Sequence, residues 1–284
     1  MNNTFTSNAL QLSVAWEELT GPDFTAAVKQ SEGVCIIPIG VIEKHGAHLP
    51  LGTDVYIARE TACRAACQEY CIVYPYYFAG QIFEARHQPG TIAYSSELIF
   101  KLLEETCDEI SRNGIKKIIL VNGHGGNVFF LRYFCQIQLA KAKDYAVFLF
   151  QHSIDPETQA RIASMQKSRI GSHADEMESS LMMAIRPDIV KIDLATDESG
   201  EYMHRLPMRN TFTGIGWYAA FPNHYAGDAK DANAALGEVS LEQRAAQLAG
   251  VIKLIKEDTA TLRLQYDFFE ESQLPLETKV KEHE

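Results

Sequence analysis

Residues 33–40 read GVCIIPIG and residues 116–122 read KKIILVN. Each is a short, almost wholly apolar run. A half-buried antiparallel strand alternates apolar with polar residues, whereas an unbroken run marks a parallel strand covered on both faces. Working outward, helix and strand signals alternate. A helical stretch covers about Val55 to Glu69, followed by a β-rich run, CIVYPYY (71–77). Ser96 to Asn113 carries Leu98, Ile99, Leu102, Leu103, Thr106 and Ile110 at helical spacing, and Gly114 ends it. After the 116–122 strand come a glycine-rich turn, a helix at Val128 to Lys141 and a strand, YAVFLFQ (145–151). Met177 to Ile185 reads as a helix stopped by Pro187, IVKIDL (189–194) as a short strand, and Leu241 to Leu264 as one long helix. Residues 196–235 read as loops over a site. The pattern predicts one α/β domain over residues 1–284, with a mainly parallel sheet and helices on both faces. About ten residues at each end, including the charged tail ETKVKEHE, are expected to fray.

Composition narrows the function classes. The chain has 284 residues, 46% hydrophobic and 22% charged, which is ordinary globular usage. Lys plus Arg number 26 against 37 Asp plus Glu, giving a net charge of −11. A surface that acidic argues against nucleic acid or an anionic membrane as the main partner. No apolar run approaches the ~20 residues of a membrane span. The start, MNNTFTSNALQLSV, lacks a basic region followed by a long apolar one, so a cytoplasmic protein is expected. Cys63, Cys67 and Cys71 recur every four residues and read as small apolar residues on one helix face, with no disulfides expected among the six cysteines.

Three segments carry chemistry. In the first, IPIGVIEKHGAHLPLGTD (37–54), a buried strand runs into Glu43, His45, His48 and Asp54. Polar groups gather at the carboxyl ends of strands in open α/β sheets. Residues two apart in an extended chain sit roughly 6–7 Å apart on one side. Glu43 and His45 could thus face two metal ions about 3.5–4 Å apart, with Asp54 returning to bridge them. Glu-x-His taken alone is weak evidence and more often reads as a surface or cap pair. In the second, VNGHGGN (121–127), glycines turn the chain and leave His124 exposed at the rim of the sheet. The rival is a phosphate-binding turn, but neither GK[ST] nor GxGxxG is present. In the third, SHADEMESSLMMA (172–184), His173 and Glu178 are separated by about 500° of helical rotation. They converge only if His173 precedes the helix and Glu178 points inward from its first turns. Asp175 and Glu176 read as acidic caps of the helix N-terminus.

Taken together and in this order, the three segments resemble the creatininase (creatinine amidohydrolase) family, with weaker echoes in HQPGT (87–91) and GDAKDANAALG (227–237). The resemblance spans about Ile37 to Gly237. It implies a dinuclear metal amidohydrolase on a Rossmann-like three-layer α/β/α sandwich, assembled as a homohexamer. By match, Glu43 and His124 hold one metal, His45 the other, Asp54 bridges, and His173 transfers protons. Where creatininase carries a glutamate ligand, this chain has Gly126, and Glu178 is the nearest replacement by motif. The family's tryptophans over the substrate have no counterpart in the matching region, the only two here being Trp16 and Trp217, so creatinine is not the expected substrate.

The resulting expectation is a hydrolase in which metal-activated water attacks a C–N amide bond, cyclic or formyl, of a small molecule, with His173 protonating the leaving nitrogen. Ligands without thiolate suit zinc first, then manganese or iron. His48 is expected to hold the loop by hydrogen bonding, and His87 either lines the pocket or serves structure. Within the class the alternative is a peptidase or deformylase. Outside it stand a nucleotide-binding protein using the GHGG turn and a metal-free assembly protein.

Overall fold

The computed structural model describes residues 12–168, 171–207 and 210–280. The terminal stretches expected to fray lie in part outside the described residues. The elements, in chain order, are α1 (Gly21–Gln30), β1 (Val34–Ile39), α2 (Thr53–Gln68), β2 (Ile72–Val73), α3 (Ser96–Arg112), β3 (Lys117–Asn122), α4 (Asn127–Ile137) and β4 (Ala146–Leu149). The chain continues through α5 (Pro156–Met165), β5 (Gly171–His173), α6 (Glu176–Ile185), α7 (Gly216–Ala220), β6 (Ala226–Gly227), α8 (Ala234–Glu257) and α9 (Thr261–Gln273).

The first four strands form a parallel sheet in the order β2-β1-β3-β4. Every residue of β1 is buried, as an unbroken apolar strand between two helical layers must be. Removing Ile36, Ile37 and Ile39 from water contributes about 2 kcal/mol each. Helices α2 and α8 pack on β1, α4 packs on β3 and β4, and α3 joins α4 through Phe100 against Phe130, ring centres 4.8 Å apart. β5, just before α6, pairs antiparallel with β6 in a separate two-stranded sheet.

Several expected elements differ from those observed. Of 71–77 only Ile72–Val73 pair with β1, because Pro75 has no N–H to donate to a ladder; Tyr77 makes a single bridge to Ile39. Residues 189–194 form no strand: Ile192–Thr196 is a 3₁₀ helix, and the Lys191 N–H donates to the His48 carbonyl instead (2.8 Å). The long C-terminal helix starts earlier, at the Asn233 cap, and breaks where Asp258 accepts from the Ala260 and Thr261 N–H groups. The cysteine face also dissolves, since Cys67 is exposed and Cys71 lies beyond α2.

The chain runs from β1 to β2 on one side, then crosses to β3 on the other side of β1. The direction of winding therefore reverses between β1 and β3, where a crevice opens at the strands' carboxyl ends. Register places Ile39 beside Asn122, so the segments leaving both strands emerge side by side. The first turn of α2 closes on them. A Cβ at Gly40 would lie 2.5 Å from the Val55 nitrogen, and one at Gly123 2.5 Å from the Asp54 carbonyl oxygen. Only glycine permits this approach. Gly40→Ala should accordingly destabilise the fold by about 2–3 kcal/mol. Gly250→Ala, facing open space on α8, should be neutral or stabilising by up to about 1 kcal/mol. Urea unfolding of the two variants against the parent checks the contrast.

Candidate metal centre

The crevice is filled by ionisable side chains. Glu43 sits in the loop after β1, its N–H donating to the Leu51 carbonyl (3.0 Å). His45 follows two residues later, Asp54 opens α2, and His124 lies in the turn after β3. Glu43 and His45 are fully buried and Asp54 nearly so. His124, expected at an exposed rim, is 7% exposed, because the α2 N-terminus closes over the turn. The Asp54 carboxylate faces two imidazoles with different oxygens: Oδ1 is 3.0 Å from His45 Nε2, and Oδ2 is 3.1 Å from His124 Nδ1. Glu43 Oε1 lies 2.7 Å from the same His124 nitrogen.

His173 and Glu178 join this group from the third segment. His173 ends β5 and Glu178 lies in the first turn of α6, the arrangement that the 500° separation demands. Between them Ala174 adopts a left-handed φ of 54°, held by its N–H donating to Glu178 Oε2 (2.5 Å). Glu178 Oε2 is 3.9 Å from His45 Nε2 and 3.9 Å from His173 Nδ1. The His173 ring stacks on His45 with centres 4.2 Å apart. Asp175 caps α6 as expected, accepting from the Glu178 N–H (3.0 Å). Glu176 does not: it is fully buried, and its carboxylate accepts from the Lys167 and Ser168 N–H groups.

Three sets of ligand atoms lie within 4.8 Å of one another: Glu43 with Asp54 and His124, His45 with Asp54 and Glu178, and Glu43 with His45 and His173. Glu43 Oε1 and Asp54 Oδ2 are buried without a hydrogen bond although an imidazole nitrogen stands close by. Their lone pairs converge on shared space, which a divalent cation would fill. The donor set, carboxylate and imidazole without thiolate, fits that chemistry.

Tautomers follow from obligatory acceptors. His45 Nδ1 donates to the Glu43 carbonyl (3.2 Å), leaving Nε2 for the cluster. His173 Nε2 donates to the Lys44 carbonyl (2.9 Å), leaving Nδ1 as an acceptor. Burial pushes His45 down, but the charge and hydrogen bond of Asp54 outweigh it and raise the imidazole to about 9. Burial and the neighbouring His45 hold His173 well below its ordinary value, so it stays neutral. Burial, with Asp54 and Asp175 near, pushes Glu178 up to about 7 against the pull of His45. Burial also pushes Glu43 up, yet the His124 charge beside it holds it well below the usual carboxylate range.

Three contributors carried no sequence signal. His224 Nε2 donates to Glu43 Oε2, and its Nδ1 accepts from the Trp217 indole N–H (2.9 Å), which fixes the tautomer. Trp217, in α7, also stands edge-on to His173 at 5.8 Å, so a tryptophan does reach the site. At Gly126 a Cβ would meet His124 Nε2 at 2.5 Å and Glu84 Oε1 at 2.7 Å; the Glu84 carboxylate occupies the space a side chain there would need. His48 Nε2 meets Ser179 Oγ at 2.9 Å, the loop-holding contact expected of it. His87 donates to or accepts at no cluster atom; its Nε2 bonds the Pro222 carbonyl (2.9 Å).

The creatininase family, described as creatinine amidohydrolase, matches residues 17–252. The creatinine amidohydrolase of Pseudomonas putida is 26% identical over 199 residues, 65% of this chain and 76% of that protein. A mycofactocin precursor peptide peptidase of Mycolicibacterium smegmatis is 28% identical over 201 residues, 68% of this chain and 72% of that protein. A crystal structure of creatininase superposes with a TM-score of 0.74 at 24% identity, covering 87% of this chain and 99% of that one, which establishes the shared fold.

Burial pushes the His48 imidazole down to about 4, below the 6.5 of the unfolded chain. Between those values the unfolded state binds the proton and the folded state does not, so stability falls as pH drops through that window. In metal-free protein the loss attributable to His48 should be on the order of 2–3 kcal/mol. Urea midpoints at pH 7.5 and 4.5 should show a shallower dependence in His48→Gln. From the match over most of its length and from its shared fold, this chain belongs to the creatininase family.

Proposed function

We propose that the chain is a dinuclear metal-dependent amidohydrolase that cleaves a C–N amide bond, cyclic or formyl, of a small molecule. The observation that carries this reading is Asp54, whose two oxygens face imidazoles on opposite sides, the geometry of a bridging carboxylate. In this assignment Glu43 and His124 hold one cation, His45 and Glu178 the other, and Asp54 joins them. Glu178 would supply the carboxylate ligand that Gly126 cannot, from the His45 side of the cluster, while the Glu84 carboxylate fills the space beside Gly126. Solved creatininases include a Zn–Zn type and a manganese form, and zinc is the first candidate here, with manganese or iron possible on the same ligands.

Bound there, the cations would supply Lewis acidity toward the carbonyl and lower the pKa of water toward ~7. The rest is work for side chains. The neutral His173 has its Nε2–H committed to the Lys44 carbonyl, so its free Nδ1 takes the proton released as water attacks and returns it to the leaving nitrogen. Glu178 Oε2 lies 3.9 Å from His173 Nδ1, which places the proton-carrying imidazole beside the proposed cation ligands. The Trp217–His224 chain turns Glu43 so that Oε1 points into the cluster.

A peptidase reading keeps the centre and enlarges the substrate; the similarity to the mycofactocin precursor peptide peptidase favours it as the second choice. Assembly into a homohexamer and a cytoplasmic setting complete the proposal. Phe129 and Phe212, 74% and 89% exposed and 6.3 Å apart, offer apolar surface that assembly would cover.

Metal analysis tests the reading first: about two equivalents per chain are expected, and none would overturn it. Asp54→Ala should lose both ions, whereas His173→Ala should retain them and lose at least ~100-fold in turnover on a panel of cyclic amides, formamides and short peptides. Normal turnover by His173→Ala would remove its proton-transfer role. A proton on His45 must leave before a cation binds, so Mn²⁺ affinity of metal-free protein should rise with pH from about 6 to about 8.5, by calorimetric titration.

A further inference from the structure

A second cavity, of about 280 Å³, opens at the carboxyl ends of β3 and β4, between α2, α4 and α8. It lies behind the turn that carries His124, and no member of the carboxylate–imidazole cluster lines it. Ile57, Leu131 and Phe150 give it apolar walls, and its polar lining includes Asn122, Arg132, His152 and Arg244. Among the described residues no Asp or Glu lines it, although the chain has 37 acidic residues and 26 basic ones.

Arg244 is the unusual member. Arg59, Arg64 and Arg186 hold carboxylates, Glu17, Glu60 and Asp188 in turn. Arg244 donates from Nε to Ser240 Oγ (3.2 Å), one turn back on α8, and among the described residues no carboxylate lies within ion-pair distance of it. Burial pushes its guanidinium below its ordinary range, and the more distant charges of Glu178 and Asp175 only partly offset this. Burial pushes His152 down as well, and Arg244 adds to that effect. A half-buried cation with no carboxylate in direct contact is poorly compensated, and an arriving anion would relieve it. The guanidinium fork matches a carboxylate or phosphate with paired hydrogen bonds.

We propose that this pocket binds a small oxyanion, a carboxylate or phosphate group held by Arg244 and Arg132, with its carbon skeleton against Ile57, Leu131 and Phe150. The site is independent of the amidohydrolase reading, since it uses none of the proposed metal ligands. It is not remote from them, however. Asn122 lines the pocket and also grips the His124 backbone, its Nδ2 donating to the carbonyl (2.7 Å) and its Oδ1 accepting from the N–H (3.1 Å). An occupant would brace the turn that delivers His124.

Calorimetric titration of the purified full-length protein with inorganic phosphate and, separately, with succinate tests this. One of the two should bind at millimolar concentration or below, and the tighter of them tells phosphate from carboxylate as the natural group. Arg244→Gln should abolish that binding and Arg132→Gln weaken it about tenfold, with metal content unchanged in both. Arg132 lies at the surface of α4, so its variant decides the matter if Arg244→Gln fails to fold. Absence of binding by both anions, or binding unaltered in a folded variant of either arginine, would overturn the proposal. Loss of metal with retained anion binding would instead count against the amidohydrolase reading alone.

Discussion

Two carboxylates, Glu43 and Asp54, are withdrawn from water into direct contact with the imidazoles of His45, His124 and His224. Isolated charges cannot be buried there without counter-charge, so each member constrains the others. Remove one imidazole and a carboxylate is left unpaired in a closed space. That mutual dependence explains why the surrounding backbone is so heavily fastened. His48 meets Ser179, Glu178 meets the Ala174 N–H, and Asn122 grips both backbone groups of His124. These bonds fix the orientation of the group, which favours binding of a cation at a set geometry.

The fold delivers this cluster through sheet winding. A reversal between β1 and β3 puts two strand ends next to each other, and α2 then drops its first turn across both. The cluster's side chains arrive from four elements: Glu43 and His45 from the β1 loop, Asp54 from α2, His124 from the β3 turn, Glu178 from α6. Backbone close-packing at Gly40 and Gly123 sets how near Asp54 comes to its two imidazoles. Position in the sheet and reach of the carboxylate are thus one constraint.

The chain draws an electrostatic contrast between two neighbouring spaces. The crevice concentrates acidic and imidazole groups and suits cations. The pocket behind it is lined by two arginines and, among the described residues, by no carboxylate, which suits an anion. The β3 turn separates them, and its residues belong to both: His124 to one side, Asn122 to the other.

Much of this was legible in the chain. Unbroken apolar runs at 33–40 and 116–122 specify parallel strands, because only a strand covered twice can be apolar at every position. Glu43, His45, Asp54, His124, His173 and Glu178 could be named because three motifs contain them in the order that the creatininase resemblance supplies. His224, Trp217 and Glu84 could not. They come from the segments 80–95 and 200–235, whose helical turns are too short to show a period, and His224 meets Glu43 across 181 residues of sequence. The break at Asp258 and the failure of 189–194 to pair were equally hidden, since a side-chain cap and a missing neighbour strand depend on what stands nearby. Local sequence determined which segments are strands and which residues carry chemistry. Only the folded chain decided which of them share one buried space, because charge pairing and close packing act through distance and not through order along the backbone.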